Sequence, residues 1–389
     1  MCLLETQKYL RSGKTPENLK EEYGIKYHEN NGLVIFSYNQ IDSPKAHPIT
    51  MECRGLILEK DTWNTVSMMF RRFFNKGEQL DITSSFDYDN SIAMEKLDGS
   101  IVSLFNYNNE WRMSTRGMVD GGGNVGFINI TFKELFDRTV KTYPEFYQNL
   151  SNNFVYIFEL ISPENRIVTR YAKKELCLLS IRDRDSSFRE LPLEFVSAQA
   201  KLLNVRFPKV CSFKDIAGLI ENFKDLSATD EGYVCVNYNH YGYQGINFDR
   251  IKVKNPAYLA IAHLKDSAGS SLRGILELVI LNETDEFLGY FPEYKEHVTK
   301  LSALYAKYTT DIAESINDLS LEFPKERTRE NIKAFALKIS TNKHKSVLFT
   351  IYNGKAKNLP EYIDQKVKKN IKSFAKGLLE EFNVTDEEY

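Results

Sequence analysis

Apolar and polar positions follow two different periods along this chain. Over roughly the first 250 residues the apolar runs are short and are broken by Asn, Asp and Gly clusters, which predicts strands joined by turns. Such runs occupy 32–38, 53–59, 91–96, 101–107, 111–115, 154–160, 176–182, 232–238 and 246–254, all rich in Val, Ile, Phe and Tyr. Two stretches between them, 128–142 and 213–224, read as helices. The period changes after Asn255-Pro256. Within 296–319, Val298, Leu301, Tyr305, Tyr308, Ile312, Ile316 and Leu319 step by three or four residues, as one face of a helix does. Pro292, Pro324 and Pro360 punctuate this region. The pattern predicts an α+β domain with antiparallel sheets flanked by helices over 1–254, and an all-helical C-terminal domain over 255–389.

With 42% hydrophobic and 27% charged residues in 389, the chain can bury real cores and is not a disordered polymer. No run approaches the ~18 uncharged apolar residues of a membrane span. The first residues, a short apolar start followed by charges, do not read as a signal peptide. The five cysteines are scattered without a C-x-x-C pair and the six histidines are dispersed, so neither a disulfide framework nor a zinc site is expected. A reducing cytoplasm, the host's if the source is a virus, is the expected compartment. Net charge is −2, so a polyanionic partner must be met by local basic patches.

Five short segments carry candidate chemistry. Met94-Glu95-Lys96-Leu97-Asp98-Gly99-Ser100 ends a strand in a lysine before an Asp-Gly turn, where Gly99 offers backbone freedom; a plain type I′ hairpin reads the same way. In Ile251-Lys252-Val253-Lys254, alternation sends both lysines to one face, and two such charges call for an anion such as a triphosphate between them. A lysine-guarded sheet edge gives the same pattern. Glu159 interrupts the apolar run Phe154–Ile161 and needs a ribose hydroxyl, a metal-bound water or a cation, unless it serves a structural ion pair. Glu231, in Asp230-Glu231-Gly232-Tyr233, offers oxygen to Mg²⁺ or merely opens a turn. Arg54, in Glu52-Cys53-Arg54-Gly55, points at an anion or lies on the surface.

Taken in order, Arg-Gly, Lys-x-Asp-Gly, Ser114-Thr115-Arg116-Gly117, Phe158-Glu159, Glu231-Gly232-Tyr233 and Lys-x-Lys resemble the motif series of covalent nucleotidyltransferases. Within that superfamily the chain resembles the ATP-dependent RNA ligases of the phage T4 RNA ligase 1 family. Ile35-Phe36-Ser37-Tyr38-Asn39, Phe73-Phe74-Asn75, Asn165-Arg166-Ile167-Val168 and Leu178-Leu179-Ser180-Ile181-Arg182 support that branch. The resemblance covers roughly residues 30–260. It implies an adenylyltransferase domain in which Lys96 attacks the α-phosphate of ATP to form lysyl-AMP. Neighbouring cations favour the neutral amine such an attack requires. AMP then passes to an RNA 5′-phosphate, and a 3′-hydroxyl displaces it. By the same resemblance Asp98, Lys252 and Lys254 join Lys96 as catalytic residues. Tyr38, Arg54, Arg72, Arg116, Glu159 and Tyr258 serve nucleotide binding, with Glu231 also the metal ligand for Mg²⁺ or Mn²⁺. Three positions depart from the family pattern: Leu97 replaces a Glu, and Arg72 and Arg116 replace lysines. Arg keeps the charge but not the geometry.

The implied partner is RNA with 5′-phosphate and 3′-hydroxyl ends, broken tRNA among them, acted on by a monomer. Lys333, Lys338, Lys343, His344, Lys345, Lys366, Lys368, Lys369, Lys372 and Lys376 would either track an RNA backbone or form ordinary solvated helix faces. A GTP-using capping enzyme or a DNA ligase would append a β-rich OB-fold, against the helical period after Pro256. A non-catalytic RNA-binding relative would not need Lys96, Glu159, Glu231, Lys252 and Lys254 together.

Overall fold

The computed structural model describes residues 3–125, 128–185, 187–259, 261–262, 271–323 and 326–384. Its strands, in chain order, are β1 (Ile25–Asn30), β2 (Leu33–Tyr38), β3 (Arg54–Glu59), β4 (Thr65–Ser67), β5 (Ile92–Glu95), β6 (Ser100–Tyr107), β7 (Glu110–Thr115), β8 (Asn124–Val125), β9 (Ile128–Thr131), β10 (Phe154–Ile161), β11 (Glu175–Asp183), β12 (Arg189–Glu190), β13 (Val210–Cys211), β14 (Gly232–Tyr241) and β15 (Phe248–Lys254). They form a four-stranded sheet β1-β2-β3-β4, a five-stranded sheet β12-β11-β10-β6-β7, a four-stranded sheet β13-β5-β14-β15 and the pair β8-β9. The pairings within these sheets are antiparallel. The fold class is therefore α+β with antiparallel sheets, as the short apolar runs predict.

Each sheet has its own core. Leu33, Val34, Ile35, Phe36, Leu56, Ile57 and Leu58 are buried on the first sheet. Tyr156, Phe158, Leu160, Leu176 and Leu178 bury the central sheet against Leu135 and Phe136 of the helix Phe132–Val140 and Val196 and Ala200 of the helix Leu193–Leu202. Strands buried on both faces read as continuous apolar runs, which is why β2, β3 and β10 stand out in the sequence.

The structure corrects several expected elements. The helix expected over 128–142 is strand β9 followed by the helix Phe132–Val140. Thr131 accepts a hydrogen bond from the Glu134 amide and Glu134 reaches back to the Thr131 amide, so the helix starts there and no earlier. Over 213–224, Asp215 caps a shorter helix, Ile216–Glu221, and a 3₁₀ turn, Asn222–Asp225, completes it. The Asp98-Gly99 turn is not a hairpin. β5 and β6 lie in different sheets, and neither Asp98 nor Gly99 has a positive φ. Gly99 is required by crowding instead: a Cβ there would stand 2.7 Å from the Leu160 carbonyl oxygen and 2.7 Å from Ile161.

The chain divides into two compact units, Met1–Ile261 and Ala262–Tyr389. Asn255 and Tyr258 belong to the first: the Asn255 side-chain amide donates to the carbonyls of Ser227 and Asp230, and Tyr258 donates to Asp98. The secondary-structure elements described in the second unit are helices. Its longest helix, Lys295–Glu322, buries Val298, Leu301, Leu304, Tyr308 and Ile312. Leu304 takes the buried position expected of its neighbour Tyr305. Pro324 lies outside the described residues. No described helix is long and apolar enough to cross a membrane.

Candidate active site

The third sheet places the lysine by register. Lys96 directly follows β5, and its amide donates to the Gly232 carbonyl at 2.9 Å. Gly232 in turn pairs with Lys254 across β14 and β15. Lys96, Gly232 and Lys254 thus lie side by side, at the ~4.8 Å spacing of neighbouring strands. Gly232 has φ 120°, and a Cβ there would meet the Val253 carbonyl oxygen at 2.4 Å, so only glycine lets the strands come this close.

Glu231, one residue earlier and 6% exposed, gathers both ammonium groups. Its Oε2 accepts from Lys96 Nζ at 2.6 Å and its Oε1 lies 2.9 Å from Lys254 Nζ. Glu231 thus answers Lys254 and Lys96, but not the other lysine of the alternating pair. Lys252 forms no ion pair with any described residue; its Nζ lies 4.8 Å from the Phe73 ring centroid. Burial, together with the neighbouring cations Arg54, Lys96 and Lys254, pulls the Lys252 ammonium down to about 7, against a pull upward from Glu78.

The other walls come from the other two sheets. Arg54 opens β3, with its guanidinium 5.3 Å from the Phe73 ring centroid and a buried Nη1 that no hydrogen bond satisfies. Glu159 lies on β10 opposite Ile101 of β6. Burial pushes its carboxyl up to about 7; Lys96 and Arg54 oppose that rise, while Glu231 and Asp98 reinforce it. Lys96, Lys252, Lys254, Arg54 and Glu159 all line one cavity of about 190 Å³, with Phe70, Phe73, Val234, Val236 and Arg250 among its walls.

Asp98 is 2% exposed and ties segments together. One of its oxygens accepts from the amides of Val168 and Thr169, both at 2.7 Å, and the other from the Tyr258 hydroxyl at 2.7 Å. Burial and the nearby Glu231 and Asp98 hold the Tyr258 hydroxyl far above the usual tyrosine range. Tyr258 and Asp98 thus support the lysine turn from outside the cavity. Tyr38, Arg72 and Arg116 form a second cluster. The Arg72 guanidinium is 4.2 Å and that of Arg116 5.6 Å from the Tyr38 ring centroid. Arg72 has a buried Nη1 without a partner, and it lines a different, adjoining cavity of about 670 Å³.

Sequence reasoning passed over two wall residues. Phe73 contacts both Arg54 and Lys252. Arg250 stands two residues before Lys252 on β15, so the same alternation would have reached it. Its guanidinium pairs with Glu190, which also holds Arg182, in a buried Arg–Glu–Arg group.

The fit of a metal turns on Glu231. Among the described residues no cluster of three His, Cys, Asp or Glu forms a metal cage. The Glu231 carboxylate, beside the cavity, offers the hard oxygen donors that a divalent ion such as Mg²⁺ or Mn²⁺ prefers.

Lys96 thus stands on a sheet row beside Glu231 and Lys254, at a cavity lined by cations. The chain belongs to the RNA ligase family of the T4 RNA ligase 1 type, which it matches over residues 52–258. Among its relatives, the RNA ligase of Rhodothermus phage RM378 is 26% identical over 412 aligned positions, spanning 89% of this chain and 91% of the phage protein. A protein of Autographa californica nuclear polyhedrosis virus, provisionally named a bifunctional polynucleotide kinase/RNA ligase, is 27% identical over 357 positions; 86% of this chain covers 49% of it, so the chain spans about half that relative's length. Among solved structures, an archaeal ATP-dependent RNA ligase aligns over 88% of this chain and 91% of its own, at 15% identity and a TM-score of 0.46.

Proposed function

We propose that this chain is an ATP-dependent RNA ligase, joining 5′-phosphate and 3′-hydroxyl RNA ends through lysyl-AMP and RNA-adenylate. The observation that carries this reading is Lys96 Nζ held with Lys254 on Glu231, in a cavity also lined by Lys252, Arg54 and Glu159. Lys96 Nζ bonds to the α-phosphorus of ATP as the bond to the β-phosphate oxygen breaks and pyrophosphate leaves. Glu231 Oε2, 2.6 Å from Nζ, is the nearest acceptor for the amine's proton. Lys252, Lys254 and Arg54 balance charge on the phosphates, Arg54 through its unsatisfied Nη1. Glu231 would hold a divalent cation, Mg²⁺ or Mn²⁺, which would supply further neutralisation of the phosphates.

An RNA 5′-phosphate oxygen then attacks the AMP phosphorus and the P–N bond breaks, returning a proton to Nζ. Last, a 3′-hydroxyl oxygen attacks the RNA 5′-phosphorus and AMP leaves. Glu159, protonated or ionised near neutrality, suits a hydrogen bond to a ribose hydroxyl. Tyr38, Arg72 and Arg116, clustered through the two guanidinium groups near the Tyr38 ring, are assigned to nucleotide binding. Asp98 and Tyr258 position the Lys96 turn. The first unit is the adenylyltransferase, and RNA repair, with broken tRNA as one substrate, is the proposed setting for a monomeric enzyme.

The test is incubation with Mg²⁺ and α-labelled ATP or GTP, followed by a denaturing gel. Label from ATP that disappears in Lys96→Ala is the expected result. Label from GTP would assign a capping activity instead. No label from either with folded protein would leave RNA binding without catalysis.

A further inference from the structure

The run 165–171 takes no step in the chemistry above, although four of its residues grip the lysine turn. The Val168 and Thr169 amides both donate to Asp98 Oδ2 at 2.7 Å. The Tyr171 hydroxyl accepts from the Asp98 amide at 3.0 Å. Asn165 Nδ2 donates at 3.0 Å to the hydroxyl of Ser100, where the turn enters β6. Thr169 also reaches a second segment: its Oγ1 donates to the Thr229 carbonyl oxygen at 2.7 Å. Thr229 stands two residues before Glu231.

The segment 227–230 that leads into Glu231 is a turn closed on itself. The Ser227 amide donates to Asp230 Oδ2 at 3.0 Å, and the Asp230 amide to the Ser227 carbonyl at 2.9 Å. Asn255 holds this turn at the Ser227 and Asp230 carbonyls, and Thr169 holds it at the Thr229 carbonyl. The contacts close a ring. Lys96 Nζ meets Glu231, the chain runs back to Thr229, Thr229 meets Thr169, Thr169 meets Asp98, and the chain runs back to Lys96. Each covalent leg spans two residues, about 7 Å of chain at most, so little slack separates Thr169 from the Lys96–Glu231 contact. Thr169 itself is half-buried and is not on the wall of the lysine cavity.

Resting on the ligase reading above, we propose that Thr169 is a positioning residue for lysyl-AMP formation. Its amide and hydroxyl together clamp the Glu231 turn to the Lys96 turn, and so set the 2.6 Å contact through which Lys96 Nζ gives up its proton. The hold on the nucleotide is left to the cavity walls. Loosening the clamp therefore slows activation of the amine without weakening ATP binding. An alkaline medium supplies neutral amine without help from a carboxylate, so there the clamp matters less.

The test uses the full chain with Thr169→Val, which removes the hydroxyl at nearly constant shape and keeps the amide on Asp98, and with Thr169→Ser, which keeps a hydroxyl. Single-turnover formation of lysyl-AMP from α-labelled ATP is followed across ATP concentrations at pH 7 and at pH 9. At pH 7 the expected result for Thr169→Val is a roughly tenfold lower rate at saturating ATP, with the half-saturating concentration changed by less than about twofold. Thr169→Ser should stay near the unmodified protein. At pH 9 the deficit of Thr169→Val should shrink to about threefold or less. An unchanged rate in Thr169→Val overturns the proposal. A raised half-saturating concentration with an unchanged maximal rate would assign Thr169 to nucleotide binding. A deficit equal at both pH values, or shared by Thr169→Ser, would assign it to general packing; either overturns the proposal. Thr169→Ala, which sets no methyl against the Thr229 carbonyl, is measured alongside in case Thr169→Val does not fold. Unfolding of both would make Thr169 a stability element and overturn the proposal too. If unmodified protein makes no lysyl-AMP, the ligase reading fails. The clamp is then read from the rate at which an amine-acylating reagent modifies Lys96, followed by mass spectrometry: roughly fivefold faster in Thr169→Val as Lys96 leaves Glu231, with an unchanged rate overturning the clamp.

Discussion

Lys252 and Glu159 change charge in the same window, near pH 7, and both changes weaken the hold on a bound polyanion as pH rises. Below it Lys252 is cationic and Glu159 neutral; above it Lys252 is neutral and Glu159 anionic. Affinity for ATP, measured by calorimetry in Lys96→Ala so that no chemistry follows, should fall roughly tenfold from pH 6 to pH 8.5. Glu159→Gln should remove part of that slope, and a flat profile in both proteins would contradict the assignment. Both groups also oppose folding. An unfolded lysine titrates near 10.4 and an unfolded Glu near 4.3, values of order set by model peptides. The Lys252 penalty therefore grows as pH falls from about 10 to about 7, and the Glu159 penalty as pH rises from about 4 to about 7. A second residue-level prediction concerns the carboxylate between the lysines. Glu231→Gln should cut lysyl-AMP formation by roughly a hundredfold or more, the range of a lost general base, as read by the labelling gel. Charge pattern along the chain makes Lys252, Lys254, Glu159 and Glu231 legible in the sequence. What no residue string displays is that Glu231 bridges two lysines, because that depends on a strand register linking positions 96, 232 and 254.

At the scale of elements, the close approach of β14 to β15 is the exposed point of the design. Gly232→Ala puts a methyl 2.4 Å from a carbonyl oxygen at φ 120°, so we expect a loss of about 2–4 kcal/mol in denaturant unfolding, together with loss of label transfer. The buried group Arg182–Glu190–Arg250 ties β11 and β12 of the central sheet to β15 of the third. Glu190→Gln leaves two buried guanidinium groups facing a neutral amide and should cost about 3–5 kcal/mol by the same measurement. The strands of both sheets are readable as apolar runs, with ends displaced by a residue or two. Helix starts are less so: Thr131 and Asp215 carry the capping signal, but apolar residues on either side blur it. The Asp-Gly turn misleads for a physical reason. The same dipeptide suits a tight hairpin or a crossing between sheets, and only the packing of Gly99 against Leu160 and Ile161 separates the two.

At the scale of the molecule, the first unit contains every residue proposed for catalysis and its own buried cores. A fragment ending at residue 261 should therefore fold cooperatively and form lysyl-AMP; an unfolded or unlabelled fragment would contradict this. The change of period at residue 256 announces the helical second unit, whereas the way three sheets converge on one cavity is hidden in the sequence, since it rests on contacts between residues far apart along the chain. That convergence has a consequence for how the site is assembled. Arg54, Glu159 and the lysines belong to separate β-layers, so a half-assembled chain with each layer formed but undocked has no partial competence. During refolding, nucleotide capture should switch on late and all at once, lagging the gain of β-structure, and so serve as a clock for the final docking event.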